Sequence, residues 1–221
     1  MRRTLGNSLV TPLDLRTCCT HDRRMPLRVT FVAAARSAPP LAERFQDDRP
    51  LDQAGWGEVE RAAHELLPLA AAELRYCSPA PRSRATGEGL GYAPLVQLGL
   101  RECDMGRWRG LTVGEAMARE PEAVDAWLAD PRATPHGGES LVDFIARVGG
   151  WLDTRPVEDG CRVVAVAEPS VIRAALVYAL KAPPSTYWNI DVRPLSTTSV
   201  TGRAGRWNLR FDGAPVQPSR A

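Results

Sequence analysis

Short apolar runs alternate with amphipathic segments along the chain from Pro26 onward. Runs rich in β-branched or aromatic residues predict strands over residues 27–34, 74–78, 162–167, 196–201 and 206–211, and a further extended segment around residues 98–102. Apolar residues at helical spacing predict helices over residues 52–74, 82–91, 112–120, 121–129, 140–152 and 170–180, the first of them interrupted at Pro68. This alternation predicts a three-layer α/β/α sandwich with a largely parallel central sheet.

Composition and charge narrow the class of protein. A chain of 221 residues, 44% of them hydrophobic, can bury one sizeable core, which favours a single domain over residues 26–221. With a net charge of +2, the chain lacks the surplus of basic residues that is typical of a nucleic-acid-binding protein. No apolar run is long enough to span a membrane. The five cysteines are odd in number and lack Cys-x-x-Cys spacing, which argues against disulfides and structural zinc. These features predict a cytoplasmic protein without metal or cofactor.

Residues 1–25 differ from the rest of the chain. They mix arginine pairs, polar residues and the adjacent Cys18 and Cys19 without sustained periodicity, and they contain no apolar core of a signal peptide. We expect a disordered N-terminal tail, or a translation start at Met25.

Three motifs point to one family. Residues 100–112 read L-R-E-C-D-M-G-R-W-R-G-L-T, and residues 135–148 contain P-H-G-G-E-S followed by F and R-V. Residues 77–86 read C-S-P-A-P-R-S-R-A-T and supply Ser78 and Arg82. In all three the chain resembles the histidine phosphatase, or phosphoglycerate-mutase-like, superfamily. The resemblance implies that Arg82 is the phosphate-binding arginine.

The same resemblance identifies two positions at which this sequence departs from the family. The first strand of the family ends in Arg-His-Gly, whose histidine accepts the phosphoryl group, and here Ala33, Ala34 and Ala35 follow Val32. The second histidine follows the late strand, and here Glu168 stands in its place. The resemblance therefore implies a degenerate member that lacks both active-site histidines and phosphohistidine chemistry.

These departures change what the expected cavity can bind. The alanine triplet supplies neither a nucleophile nor a cation, which leaves Arg82 as the inherited phosphate ligand. A phosphate dianion near Glu102, Asp104 and Glu168 would meet a repulsion of about 1 to 4 kcal/mol for each close contact. We therefore expect weak phosphate binding.

Three carboxylates are the catalytic candidates. Glu102, Asp104 and Glu168, gathered in a partly dehydrated cleft, could act as acid and base. Glu168 could instead form an ion pair with Arg82 or Arg36. The candidate ligand-binding residues are Arg82, Arg36, Ser78 and His136.

Histidine and cysteine are the residue types that could replace the lost nucleophile. His21 lies in the expected tail and His64 on the first helix, so only His136, before a Gly-Gly pair, can approach the cleft, and its alternative place is a solvent-facing loop. Cys77 and Cys103 lie in the motif segments, where a buried, unreactive thiol is the alternative to a chemical role.

Three functions are compatible with the sequence. The first is a pseudophosphatase that binds a small molecule or a protein partner, with a homodimer left open. The second is an enzyme that uses Glu102 and Glu168 for acid–base chemistry on another substrate. The third is a phosphatase with an unconventional nucleophile.

Overall fold

Helices and strands alternate along the part of the chain that the computed structural model describes, residues 26–37, 44–46, 48–155 and 160–211. The expected tail, residues 1–25, and His21 within it lie outside the described residues. The strands are β1 Leu27–Ala33, β2 Leu74–Cys77, β3 Leu95–Val96, β4 Arg162–Ala167, β5 Thr197–Arg203 and β6 Arg206–Arg210. The helices are α1 Gln53–Leu66, α2 Pro81–Gly89, α3 Val113–Arg119, α4 Pro121–Ala129, α5 Leu141–Asp153 and α6 Pro169–Ala179. None of the helices within these ranges combines the length and apolar character needed to cross a membrane.

The strands form one mixed sheet in the order β3-β2-β4-β1-β5-β6. The first four in this order pair in parallel, and β5 and β6 continue the sheet as an antiparallel hairpin next to β1. Ala33 pairs with Ala167, and Cys77 pairs with Val166. Because parallel strands end at the same edge, the residues that follow β1, β2 and β4 lie close together.

Helices cover both faces of this sheet, as the sequence predicted. Along β1, Val29 and Phe31 pack with the buried side chains of α5 and α6, whereas Val32 points to the opposite face, where Val59 of α1 also lies. Successive side chains of a strand point to opposite faces, so each face contributes its own apolar layer. The three-layer α/β/α architecture with a largely parallel sheet is confirmed.

Two elements differ in detail from the prediction. The first predicted helix ends at Leu66, and a 3₁₀ helix, Leu67–Ala71, begins where Pro68 lacks the N–H that an α-helix requires. The extended segment predicted around residues 98–102 is wrong over Leu98–Leu100, which form a 3₁₀ helix. Arg147 explains this turn, because its guanidinium donates hydrogen bonds to the carbonyl oxygens of Gly99 (3.0 Å) and Arg101 (3.1 Å).

Candidate functional site

A cavity of about 590 Å³ opens beside the ends of β1 and β4. Its wall contains five arginines and two acidic residues, together with many apolar side chains. The charged residues that line it are Arg36, Arg44, Arg82, Glu102, Arg173, Asp191 and Arg193. This size lies within the usual range of small-molecule sites.

The alanine triplet and Glu168 meet at one place in the fold. The backbone N–H of Ala34 donates to the carbonyl oxygen of Ala167 at 2.9 Å, so the residue after β1 lies next to the end of β4. Ala34 and Ala35 line the cavity, whereas Ala33 belongs to the core on the α5–α6 side. Glu168 follows β4 directly and precedes the first turn of α6.

Arg82, near the start of α2, lies between two carboxylates. Its Nη2 is 3.4 Å from Oε1 of Glu102, and its Nε is 3.7 Å from Oε1 of Glu168. Oε1 of Glu102 also accepts a hydrogen bond from Oγ of Ser170 at 2.9 Å. The cationic charge that the sequence assigned to phosphate binding is thus balanced by two anions of the protein itself.

Glu168 is wholly enclosed by protein. Its side chain is 0% exposed and its Oε1 accepts a 2.6 Å hydrogen bond from Oγ of Ser83. Its Oε2 is buried and has no hydrogen-bond partner among the described residues. A buried anion with one unsatisfied oxygen is costly, and the adjacent guanidinium of Arg82 offsets part of that cost. Glu168 therefore lies behind the cavity wall rather than on its surface.

Asp104 does not join the other two carboxylates. It is exposed, and its Oδ1 accepts a hydrogen bond from the N–H of Gly106 at 3.0 Å, which stabilises the turn before Trp108. Ser78, predicted to bind ligand, is fully buried, and its Oγ accepts from the N–H of Ala80 at 3.3 Å. In the described part of the chain, no three His, Cys, Asp or Glu residues are placed to share a metal ion.

His136 lies neither at the mouth of the cavity nor in solvent. It is 1% exposed, and its ring centroid is 5.1 Å from that of Trp108 and 6.5 Å from that of Trp127. Its Nδ1 accepts a hydrogen bond from the N–H of Gly138 at 3.0 Å, which fixes the neutral imidazole as an acceptor. The sequence could not reveal this, because the two tryptophans come from separate segments.

Burial makes His136 a source of acid sensitivity. It lowers the pKa of His136 below the ordinary 6.5, against the opposing charge of Asp104. The unfolded chain therefore takes up a proton at His136 more readily than the folded chain does. The stability that the folded chain gains from a neutral His136 is present above about pH 6.5 and is lost as the pH falls toward the folded-state pKa. We expect His136→Asn, whose amide oxygen can still accept from Gly138, to remove this part of the acid-side loss.

Urea denaturation of both proteins between about pH 5 and pH 8 tests this expectation. The free energies of unfolding of wild type and His136→Asn should change in parallel above pH 7 and diverge below it. Identical profiles across the whole range would contradict a neutral, buried His136.

Neither cysteine of the motif segments is prepared for nucleophilic attack. Burial raises the pKa of the Cys77 thiol to about 11 and that of Cys103 to about 12. Cys103 lines the cavity, but its Sγ donates to the carbonyl oxygen of Glu139 at 3.4 Å. Because the thiolate is the nucleophile, both side chains are unreactive at neutral pH.

Sequence reasoning missed several residues of the cavity wall. Trp127 of α4 and Trp188, in the 3₁₀ helix Pro184–Asn189, both line the cavity, with ring centroids 4.9 Å apart. Arg173 and Arg193 line it as well. None of these four residues lies in the three motif segments, so the sequence provided no direct signal for them.

The chain is similar in sequence to known proteins. The sequence profile of the histidine phosphatase superfamily (branch 1) matches residues 41–212. A bifunctional protein of Mycobacterium tuberculosis is 33% identical over 153 residues, which cover 66% of this chain and 42% of that protein. Glucosyl-3-phosphoglycerate phosphatase of Mycobacterium tuberculosis is 36% identical over 130 residues, 55% of this chain and 57% of the enzyme.

The likeness extends to the backbone. A solved mycobacterial glucosyl-3-phosphoglycerate phosphatase superposes with a TM-score of 0.68 at 29% identity, over 83% of this chain and 96% of that one. By contrast, the chain spans less than two thirds of the length of the two sequence relatives. The superposition therefore covers more of the solved phosphatase than the sequence alignment with glucosyl-3-phosphoglycerate phosphatase does.

Proposed function

The chain belongs to the histidine phosphatase superfamily (branch 1), and on that premise we propose that it binds a small molecule in its cavity without phosphohistidine chemistry. The position of Arg82 between Glu102 and Glu168 carries this proposal. Where the family resemblance calls for two histidines, this chain has Ala34 and Glu168. It therefore lacks the nucleophile, and the arginine of the motif is engaged by carboxylates.

Electrostatics at this end of the cavity support weak binding of a phosphoryl group. Arg82 contributes one positive charge, and Glu102 and Glu168 together contribute two negative charges when both are ionised. A dianion entering beside Ala34 would approach this net negative cluster in a site partly shielded from water. Each like-charge contact there costs about 1 to 4 kcal/mol.

The burial of Glu168 argues against acid–base catalysis by Glu102 and Glu168. A general acid or base must come within about 3 Å of the proton it transfers, directly or through one water. Glu102 lines the cavity and meets this condition, but Glu168 is 0% exposed and does not line it. In this arrangement Glu168 acts through Arg82, as a positioning residue.

A phosphatase with a substitute nucleophile is also disfavoured by the cavity wall. Among the described residues that line the cavity there is no histidine, and Cys103 carries a thiol whose pKa is raised to about 12 by burial. The hydroxyl of Ser170, which also lines the cavity, donates to Oε1 of Glu102 rather than to an imidazole that could activate it.

The shape of the cavity favours a small molecule over a protein partner. Protein interfaces bury roughly 800 Å² of surface on each partner, whereas small-molecule sites are clefts of roughly 300 to 1,000 Å³. The volume of about 590 Å³ falls in the second class.

Turnover of phosphate monoesters tests the proposal. Purified protein, incubated with aryl phosphate, phosphoserine and phosphoglycerate across acidic and neutral pH, should release phosphate at no more than the rate of the buffer. Glucosyl-3-phosphoglycerate phosphatase serves as the positive control for the assay. Turnover that disappears in Glu102→Gln, or a trapped phosphohistidine in the intact protein, would overturn it.

A further inference from the structure

We propose that the ligand is an organic anion with an aromatic body, bound with the aromatic part against tryptophan and the anionic group toward Arg173 and Arg193. This inference rests on the proposed function, because it names the class of molecule that the cavity binds. It arises from residues of the cavity wall that lie outside the three sequence motifs.

The outer wall of the cavity is apolar and open. Val113, Trp127, Leu128 and Trp188 line it, and we call these four residues the apolar rim. Three of them are large hydrophobic side chains left partly in solvent, with Val113 51%, Leu128 46% and Trp188 40% exposed. Contiguous exposed apolar surface beside a cavity marks a binding site, since a bound apolar group removes that surface from water.

The rings of this rim are arranged to receive another ring. Trp127 and Trp188 meet edge to face, with centroids 4.9 Å apart and planes at 80°, and Tyr187 meets Trp188 in the same manner at 4.9 Å. Trp127 and Tyr187 are buried, at 9% and 7% exposed, so the open ring surface belongs to Trp188, which is 40% exposed. A flat aromatic group can therefore extend the cluster at centroid distances of about 4.5 to 7 Å.

Arg82 lies beside two carboxylates, and the other arginines that line the cavity have fewer acidic partners among the residues that the structure describes. Arg36 pairs with Glu58 at 2.6 Å, and Arg44 pairs with Glu115 at 2.9 Å. Arg173, held with its guanidinium 5.9 Å from the Tyr187 ring centroid, has a buried Nε without a hydrogen-bond partner in the described ranges.

Arg193 adds an exposed cation to the same cavity wall. The exposed carboxylate of Asp191 also lines it. Arg173, Arg193 and Asp191 together therefore carry a net charge of +1. A ligand carrying a single anionic group complements this balance. A phosphate dianion would instead be repelled at the Arg82 end.

A fluorescent probe of this class tests the inference. Anilinonaphthalene sulfonate combines an aromatic body with one anion, N-phenylnaphthylamine keeps the body without the charge, and inorganic sulfate keeps only the anion. We expect the sulfonate probe to bind at least about tenfold more tightly than either fragment, measured by tryptophan quenching and calorimetry. Equal affinity for the sulfonate and the neutral analogue would overturn the role of the arginines.

Matched substitutions locate the binding. Trp188→Ala should weaken probe binding about tenfold, whereas Trp56→Ala, which removes an equally exposed tryptophan from α1, should leave it unchanged. Arg193→Gln should weaken it about tenfold, and Arg206→Gln, an exposed arginine on β6, should not. Equal effects of the cavity variants and their controls would reject the site.

The two proposals fail in different experiments. Loss of the probe preference without phosphate release would refute the ligand class and leave the proposed function standing. Hydrolysis of phosphate monoesters would refute the proposed function even if the probe binds as expected.

Discussion

Replacing Gly149 with alanine is expected to lower the free energy of unfolding by about 2 kcal/mol or more, because it overpacks the contact between α5 and α6. A Cβ at this position would lie 2.1 Å from Cδ2 of Tyr178. The Tyr178 ring cannot easily move aside, since its hydroxyl donates to Oδ2 of Asp153 at 2.6 Å. Asp153 in turn accepts from Nε1 of Trp207 at 2.8 Å and so connects the ring to the β5–β6 hairpin.

Gly150 is the matched control on the same helix. A Cβ there meets no atom within 4 Å, so Gly150→Ala is expected to raise stability by about 0.5 to 1 kcal/mol through helix propensity alone. In urea denaturation, the free energies of unfolding of the two variants should therefore change in opposite directions relative to wild type. A stabilising effect at both positions would mean that α5 and α6 are farther apart than described.

The fold was predictable because its signals are local. The apolar run of β4 and the helical spacing from Leu141 to Leu152 each lie within one segment, and both elements form where the sequence placed them. The prediction for Leu98–Leu100 was wrong because the alternation of apolar and other residues there is typical of a strand. The segment forms a 3₁₀ helix, and Arg147, almost 50 residues away, donates to its backbone carbonyl oxygen at Gly99. Long-range contacts of this kind leave no periodic trace in the sequence.

The candidate site was predictable only in part. The option that Glu168 pairs with Arg82 matches the 3.7 Å contact, since motif positions fix which strand and helix ends meet. The direction in which each side chain points was not predictable. Asp104 turns to its own loop to bond Gly106, and Trp188 reaches the cavity from a segment without a motif.

Removing the charge of Glu168 is expected to have opposite effects on folding and on anion binding. Glu168→Ala should lower the free energy of unfolding by about 3 kcal/mol, because it removes one of the carboxylates beside a largely buried Arg82 and opens a small void. The same change leaves Arg82 and Glu102 as a pair without net charge. Affinity for inorganic phosphate, measured by calorimetry, should then rise about tenfold.

Two further variants separate charge from stability. Glu168→Gln keeps the volume and can still accept from Ser83, so it should fold more stably than Glu168→Ala and show the same gain in phosphate affinity. Asp153→Ala removes a carboxylate with three hydrogen-bond donors at the far end of α5, about 13 Å along the helix from the cavity residue Phe144. It should destabilise the fold without changing phosphate affinity. If phosphate affinity is unaltered in both Glu168 variants, the anion of Glu168 does not limit phosphate binding, and Ala34 and the other residues of the cavity must account for it.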